Sequence, residues 1–403
     1  MLDLAARQTK EDPLDTWQRL QRDGSVVRAR LPLLGTPALA TRRDTARQVL
    51  EDESRFTVDA TRVGHRSRTG TVWWVPGPVR RLADNLLVHE GDEHRRRRRR
   101  VEDAFRRSAL QRLQPVIEQR TEACLRTLQR SAAPCFVRDV TRPLPLRVIG
   151  ELLGLDPASS APGTPFGRAL QRLSAIGGPA GLLRAMPALR RLSGALAQEL
   201  DARRQDPRDD LLSELVRPLD GEAPPTQDEC ISMTFLLYLA GHETTTHLLS
   251  VSLLELLRSD TGLATLAPLP DARAISELVR ATSPVELSKP RFVVHDTELD
   301  GHRLERGSTI AALIGAANHD DRVWTDPGRI DPTRLPARHL GFGAGTHACL
   351  GLQLALREAS CVFGMLMDRM PDIALRDPGA PADWTHRTGL RALASLPLRR
   401  MDR

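Results

Sequence analysis

The sequence is poor in cysteine and in long apolar runs. Its 403 residues include 5 cysteines, an odd number at irregular spacings, which argues against a disulfide framework. The longest apolar run near the middle of the chain, residues 235–241, is far shorter than the ~20 residues needed to span a bilayer. The N-terminus is polar and lacks the apolar core of a signal peptide. We therefore expect a cytoplasmic protein that has no membrane anchor.

No domain boundary is visible in the sequence. The 29 prolines and 28 glycines are scattered along the chain, and neither a repeat nor a low-complexity linker interrupts it. A chain of this length can form one large domain. We therefore predict a single domain over residues 1–403.

Lysine is almost absent, since it occurs only as Lys10 and Lys289, and arginine supplies most of the net charge of +7. The concentrated basic run, residues 95–100, would by itself indicate a nucleic-acid-binding surface. This run lies in a predicted helix, however, and no aromatic residues alternate with it. We expect no nucleic-acid partner, and nucleic-acid binding is kept only as an alternative function.

The hydrophobic pattern predicts a mostly α-helical chain with a minor antiparallel β region. The segment 230–258 is hydrophobic on most sides, so its helix should be central and buried. Residues 57–85 have little periodicity and are predicted to form a long loop. Other helices are predicted at 13–23, 42–52, 102–130, 143–153 and 166–204, the last broken at 177–179. Strands are predicted at 25–31, 36–40, 290–294, 297–299, 302–304 and 309–314.

The segment 339–358 surrounds a single cysteine, Cys349, with glycines at 341, 343, 345 and 351. Such a loop can adopt positive φ angles and direct backbone N–H groups toward one sulfur atom. Together with the N-terminus of a helix predicted from residue 350, these donors would stabilise a thiolate. A buried structural thiol is the alternative interpretation. We expect the other four cysteines, Cys124, Cys135, Cys230 and Cys361, to be small core residues.

The predicted central helix contains an unusual cluster, Gly-His-Glu-Thr-Thr-Thr at 241–246. Glycine and β-branched residues weaken a helix, and such a breach often marks a functional site. Gly241 would leave room for a small ligand, and the Thr244 hydroxyl could bond the carbonyl of Ala240. Glu243 would supply a buried carboxylate. A purely structural pair of acid and alcohol is the alternative.

The loop around Cys349 matches the pattern F-G-x-G-x-H-x-C-x-G at every defined position: Phe342, Gly343, Gly345, His347, Cys349 and Gly351. On these residues the chain resembles the haem-thiolate monooxygenases of the cytochrome P-450 superfamily, of the soluble bacterial type. The resemblance implies a single large helical haem domain with a minor antiparallel β region. It also implies that Cys349 binds the iron of haem b through its thiolate.

The same resemblance implies roles for residues elsewhere in the chain. His94 and Arg98, four apart on one helix face, match the family's pair that binds the haem propionates. Arg291 and His347 match two further propionate donors. Ala240, Gly241, Glu243, Thr244 and Thr245 match the oxygen-activation motif A-G-x-E/D-T-T, and Glu277, Arg280 and Arg334 match a structural triad supporting the haem loop.

Further expectations concern the substrate pocket. The family's pocket loop corresponds to residues 57–85, in which Trp73 and Trp74 would face substrate or anchor the loop. The helical region from 166 would form a movable lid. Its candidate substrate contacts, each of which could instead be a core residue, are Ile176, Leu182, Leu183 and Met186. Glu286 and Lys289 would contact a polar group of the substrate or remain solvated.

The implied reaction uses dioxygen as co-substrate and inserts one of its oxygen atoms into an apolar small molecule, by hydroxylation or epoxidation, in secondary metabolism. Glu243 and Thr244 would deliver the protons that this chemistry requires. Electrons would come from a ferredoxin and its reductase, because the chain contains no flavin or iron–sulfur module. Exposed members of the set Arg95, Arg96 and Arg99 would bind that ferredoxin. The protein is expected to be a monomer, and its substrate to be free or carrier-bound.

Two alternatives share the same fold. A peroxide-using haem enzyme would need no electron partner, but such enzymes typically lack the acid and alcohol that Glu243 and Thr244 provide. A non-catalytic protein that only recruits a carrier protein would need neither these residues nor Cys349.

Overall fold

The computed structural model describes residues 3–4, 6–31, 35–68, 77–155, 179–219, 221–267, 270–334 and 338–400. The chain forms two compact units. Unit 1 comprises Met1–Thr57, Pro115–Leu144 and Glu243–Arg403, and unit 2 comprises Val58–Gln114 and Pro145–His242. None of the described helices combines the length and the apolar character needed to cross a membrane.

Helices dominate the described part of the chain, as the sequence pattern predicts. In chain order they are α1 Arg7–Glu11, α2 Pro13–Asp23, α3 Arg43–Glu51, α4 Gly77–Ala83, α5 Gly91–Glu102, α6 Arg107–Arg130, α7 Pro143–Leu153, α8 Pro179–Gln205, α9 Leu211–Val216, α10 Gln227–Arg258, α11 Ala272–Thr282, α12 Ile314–Ala317 and α13 Leu352–Arg369. The helices predicted at 13–23 and 143–153 are found with those bounds. The long predicted helix at 230–258 is α10, which begins three residues earlier.

The strands of the described residues are short and lie in unit 1. The strands are β1 Val26–Arg28, β2 Ala38–Ala40, β3 Phe56–Thr57, β4 Arg291–Val293, β5 Thr297–Leu299, β6 His302–Leu304, β7 Thr309–Ala312, β8 Ile373–Leu375, β9 Asp383–Trp384, β10 Leu393–Ser395 and β11 Leu398–Arg400. One sheet has the order β1-β2-β7-β4-β3, and three further pairs are β5-β6, β8-β11 and β9-β10. The antiparallel prediction is confirmed for these strand pairs except β2-β7, which is parallel.

Both faces of β2, within the larger sheet, are buried. Ala38 and Ala40 of β2 pack with α3 in one apolar cluster, whereas Leu39 between them packs with Trp17 of α2 in another. This alternation follows from the two-residue period of a strand. Close packing explains Gly315 on α12, because a Cβ there would lie 2.4 Å from the Trp17 ring.

The predicted triad of unit 1 is present. Glu277 accepts hydrogen bonds from Arg280 at 2.8 and 2.7 Å and from Arg334 at 3.1 Å. The N–H of Asp331 donates to the same carboxylate at 3.0 Å. Arg280 also donates to the carbonyl of Asn318, whose side-chain oxygen accepts from the N–H of Leu340 just before the cysteine loop. The triad therefore connects α11 with the start of that loop.

Unit 2 has its own buried ionic connection. Arg203 of α8 is 2% exposed and donates to Asp210, which caps α9, and to the carbonyl of Gly154 after α7. Gly154 has φ +78°, and a Cβ there would lie 2.2 Å from the Asp210 carboxylate. The glycine thus permits both the turn after α7 and the approach of Asp210.

Several boundaries predicted from sequence are corrected. The long loop predicted at 57–85 contains a 3-10 turn, Ala60–Val63, and the helix α4. Pro78, which indicates a turn in the sequence, is the second residue of α4, where proline is also compatible with a helix. The helix predicted from 102 is preceded by a 3-10 turn, Asp103–Phe105. The strand predicted at 309–314 ends at Ala312, and Ile314 begins α12.

Other expectations are settled only in part. Trp73, Trp74 and Ile176 lie outside the described residues, as do the side chains of Leu182 and Leu183. Met186 is buried in α8, which runs unbroken from Pro179. Cys124 and Cys230 are core residues as predicted, but Cys135 and Cys361 are only half-buried.

Candidate active site

The loop around Cys349 has the backbone that its glycines predict. Gly343 and Gly345 both have φ +71°, and a 3-10 turn spans Gly345–His347 before α13 begins at Leu352. The N–H of Cys349 donates to the carbonyl of Phe342 at 2.8 Å. The Cys349 side chain is exposed. An exposed thiol at a glycine turn, next to a helix N-terminus, is well suited to act as a thiolate ligand.

Close packing fixes this loop in unit 1. A Cβ at Gly345 would lie 2.8 Å from the carbonyl oxygen of Leu50 at the end of α3, so only glycine fits. A Cβ at Gly341 would similarly lie 2.5 Å from Val279 of α11. The loop is therefore held between α3 and α11 by contacts that a larger residue would break.

His339 supports this loop, although no motif in the sequence assigns it a role. Its Nδ1 accepts from the N–H of Gly341 at 3.1 Å, so its Nε2 donates to the Ser276 hydroxyl at 2.9 Å. Burial, aided by the positive charge of Arg280, lowers the pKa of His339 to about 4. The imidazole is therefore neutral at physiological pH and connects α11 to the loop. No spacing rule in the sequence indicates this contact.

The helix α10 continues without interruption through the Gly-His-Glu-Thr-Thr-Thr cluster. The cluster is therefore unusual in its residue types, but it does not interrupt the helix. Glu243 and Thr244 are half-buried and Ala240 is exposed, whereas Thr245 and Thr246 are buried. Thr246 donates to the carbonyl of Thr141 at 2.7 Å. An accessible acid and alcohol thus follow one another on a helix that is otherwise largely buried.

Gly241 is half-buried and packs against α7 on one side. A Cβ at Gly241 would lie 3.0 Å from two side-chain carbons of Ile149 on α7. On this side the glycine permits the close approach of α7 and α10 within unit 2, and room for a small ligand elsewhere beside Gly241 stays a prediction.

Glu243 has an ionic partner that the sequence did not indicate. Arg387, in the loop between β9 and β10, donates to both oxygens of the Glu243 carboxylate, the longer of the two contacts being 3.4 Å. Burial lowers the pKa of Arg387, but a guanidinium remains charged at any pH at which the protein is folded. Glu243, which the sequence pattern groups with the hydroxyl of Thr244, is thus ion-paired with the guanidinium of Arg387.

The expected propionate donors of unit 1 also have protein contacts. Arg291 is 2% exposed and donates to the carbonyls of Leu50 at 2.9 Å and Phe56 at 3.2 Å. These contacts place its charge at the C-terminus of α3, which favours a cation. His347 lies half-buried in the 3-10 turn before Cys349.

The pair His94 and Arg98 lies on α5 in unit 2. His94 is 2% exposed, and Arg98 is half-buried, with its Nε 3.9 Å from Glu102. The two side chains are thus largely removed from solvent, as the binding of a partly buried anion requires.

The three arginines of α5 that are expected to bind ferredoxin all form ion pairs within the protein. Arg95 pairs with Asp92, Arg99 with Glu222, and Arg96 with both Glu93 and Glu229. The side chains of Arg95 and Arg99 are each 62% exposed, but that of Arg96 is only 25% exposed. The expected ferredoxin surface is therefore reduced to two exposed arginines, and nearby acids partly offset their charge.

Glu286, expected to meet substrate or solvent, does neither in this structure. It is fully buried and paired with the equally buried Lys10. The sequence could not predict this pair because its members are far apart in the chain.

Comparison with known proteins shows the family to which the chain belongs. The sequence profile of the family described as Cytochrome P450 matches residues 271–370. The chain is 32% identical to the polyketide biosynthesis cytochrome P450 PksS of Bacillus subtilis (strain 168), over 96% of this chain and 95% of that protein. The chain belongs to the cytochrome P450 family.

Other relatives of this P450 are similarly close. It is 32% identical to the cytochrome P450 monooxygenase PikC of Streptomyces venezuelae, over 99% of this chain and 94% of that protein. It is 31% identical to the mycinamicin IV hydroxylase/epoxidase of Micromonospora griseorubida, over 94% and 93%. The solved structure of PksS matches with a TM-score of 0.89 at 29% identity and covers 100% of both chains.

The expected fold and enzyme class are thereby confirmed. The protein is an oxidoreductase of the P450 monooxygenase family, and its relatives are bacterial P450s of secondary metabolism. Membership of the family implies a haem-thiolate iron cofactor.

Proposed function

We propose that this P450 hydroxylates or epoxidises an apolar small molecule of bacterial secondary metabolism, using dioxygen and electrons from a ferredoxin and its reductase. The observation that carries the proposal is the Cys349 loop, in which an exposed thiol follows two glycines of positive φ. Its relative from Micromonospora griseorubida is described as both a hydroxylase and an epoxidase. Either reaction is therefore compatible with this family relationship.

The described residues suit a bound haem b. Cys349 would bind the iron, and His94, Arg98, Arg291 and His347 would bind the propionates, because partly buried carboxylates need charged donors. Phe342, Gly343 and Gly351 would shape the loop around the thiolate, and Ala240 and Gly241 would belong to the helix beside the cofactor. When bound, the thiolate-ligated haem supplies the oxidising chemistry, with electron density donated by sulfur.

Glu243 and Thr244 would transfer protons to the reacting oxygen. Glu243 is half-buried, so its carboxylate has access to solvent while it remains part of a largely buried helix. Thr244, the next residue, has a hydroxyl that can accept one proton as it donates another. The two groups would thus form a short path for protons from solvent to the reacting oxygen.

A single spectrum tests the proposal. The reduced, carbon monoxide-bound protein should show the absorption band of thiolate-ligated haem. A set of apolar substrates can then be screened for the shift of the iron from low to high spin. Absence of the thiolate band in haem-loaded protein would contradict the proposed role of Cys349.

Replacing Thr244 by alanine should divert reducing equivalents from product to peroxide. Dioxygen should still bind, but the path for protons would lack its hydroxyl. The quantity to measure is product formed per electron consumed. Glu243→Gln serves as the comparison, and we expect it to slow turnover by about 10²-fold because it removes the acid itself. Unchanged coupling in Thr244→Ala would make Thr244 a purely structural residue.

Reversing the charge of Arg95 and Arg99 together should slow turnover supported by ferredoxin and weaken its dependence on salt. Electron-transfer complexes are weak, so complementary charge acts mainly by steering association. The rate should be measured over a range of ionic strength, with substrate binding as the control. Arg96 is left unchanged because it is half-buried and pairs with Glu93 and Glu229. Equal rates in variant and parent would remove these arginines from the ferredoxin surface.

A further inference from the structure

The loop between β9 and β10 directs two arginines at one helix. Arg387 donates to Glu243, and Arg391 donates to Glu255 at 2.8 Å. Both acids belong to α10 and lie roughly three turns apart. The loop therefore spans a long section of the helix and contacts it at the residue proposed to deliver protons.

Backbone contacts hold this loop in place. The N–H of Thr385 donates to the carbonyl of Ala392 at 2.8 Å, and the N–H of Arg387 donates to the carbonyl of Thr385 at 3.0 Å. Gly389 has φ +80°, and a Cβ there would lie 3.0 Å from Leu287. The position of the Arg387 backbone is thus set by the loop and not by its ionic partner.

Arg391 anchors the far end of the loop. It is 1% exposed and donates to the carbonyls of Thr282 at 2.9 Å and Lys10 at 3.1 Å. Its N–H donates to the carbonyl of Pro284 at 2.9 Å. These contacts join the loop to α11 and to the N-terminal helix α1, so Arg387 extends from a fixed support.

The Arg387 and Glu243 side chains are 29% and 15% exposed, so their attraction is less screened than that of a surface pair. An adjacent cation favours the charged form of a carboxyl group, and two donors from one guanidinium also fix its orientation. We propose that Arg387 is a positioning residue that keeps Glu243 ionised and oriented, and thereby sets the pH at which Glu243 takes up the proton it delivers. The proposal rests on the proposed role of Glu243 in proton delivery.

Other titratable groups lie near the pair and must be distinguished from it. His247 follows Glu243 by one helical turn on the same face, and His242 precedes it with Nδ1 2.8 Å from the carbonyl of Tyr238. His386 precedes Arg387 and lies 3.6 Å from Asp3. Since each of these side chains is an ionisable imidazole, a change of activity with pH would not by itself identify the group responsible.

Infrared difference spectroscopy of the haem-loaded protein isolates the carboxyl group. The band of protonated Glu243 is the one that disappears when Glu243→Gln is introduced into the parent protein or into a variant of Arg387. In the parent protein and in Arg387→Lys this band should be absent at pH 7. In Arg387→Gln the band should appear, and its titration should move to higher pH, because the favourable charge is lost and the carboxyl remains half-buried. His386→Gln is the matched control and should leave the titration unchanged.

A second readout connects the pair to catalysis. The pH dependence of product formed per electron should move to higher pH in Arg387→Gln and return toward the parent profile in Arg387→Lys. Superimposable infrared titrations in the parent and Arg387→Gln would overturn the proposal. An infrared shift accompanied by full turnover in Glu243→Gln would instead confirm that Arg387 holds Glu243 and refute the proton-delivery role, so the two failures are distinguishable.

Discussion

Cys349→Ala should abolish monooxygenase activity and the thiolate-type carbon monoxide spectrum, the largest functional effect that we expect of any single change. Cys349 is the cysteine at the glycine turn, and it is exposed. The next cysteine, Cys361, lies within α13, and burial raises the pKa of its thiol. A protonated thiol in a helix interior cannot replace the thiolate of the loop.

The matched control for this variant is Cys361→Ala. It removes a half-buried thiol from the same helix region and should leave the thiolate-type spectrum intact. Circular dichroism of both variants should show unchanged helix content. Retention of the thiolate-type band in Cys349→Ala would show that another residue binds the iron.

Glu277→Ala should cause the largest loss of stability, about 3–5 kcal/mol, because it removes one partner of a buried ionic network. Arg280 is 1% exposed and would keep its charge with no carboxylate beside it. The N–H of Asp331 would lose its acceptor as well. Denaturant unfolding followed by circular dichroism measures the change.

The effect of Glu277→Ala should extend to the cysteine loop. Arg280 donates to the carbonyl of Asn318, and the Asn318 side chain accepts from the N–H of Leu340. We therefore expect weaker haem retention together with lower stability. Arg47→Ala is the control in the same unit, since Arg47 is half exposed and pairs with Glu51 on the surface of α3, where ion pairs contribute little. Similar losses in both variants would contradict a special role for the buried triad.

The sequence predicted most of the fold because its helices carry strong local signals. The amphipathic pattern of α2 and the apolar length of α10 each define a helix without help from the rest of the chain. The predicted ends of helices differ from the structure where neighbouring residues favour different conformations. The pair Gly77-Pro78 reads as a turn but begins α4, because proline also fits the first turn of a helix.

The candidate site was predictable to the extent that it is encoded in short motifs. The residues from Phe342 to Gly351 share one loop, and Glu243 and Thr244 are adjacent, so local motifs that resemble those of the family are enough to predict them as site residues. The roles of Arg387 and His339 could not be predicted, because their partners are distant in the chain. Arg387 lies far along the chain from Glu243, and His339 acts through Ser276 on another helix, so no local pattern records either contact.

By itself, the sequence determined the family, the central helix and the cysteine loop, because each depends on residues close together in the chain. The tertiary structure alone decided which charges meet. It placed Lys10 against Glu286 and Arg387 against Glu243, and it packed Ile149 against one side of Gly241. The physical reason is that ion pairs and close packing depend on distance in space, which a pattern of neighbouring residues does not specify.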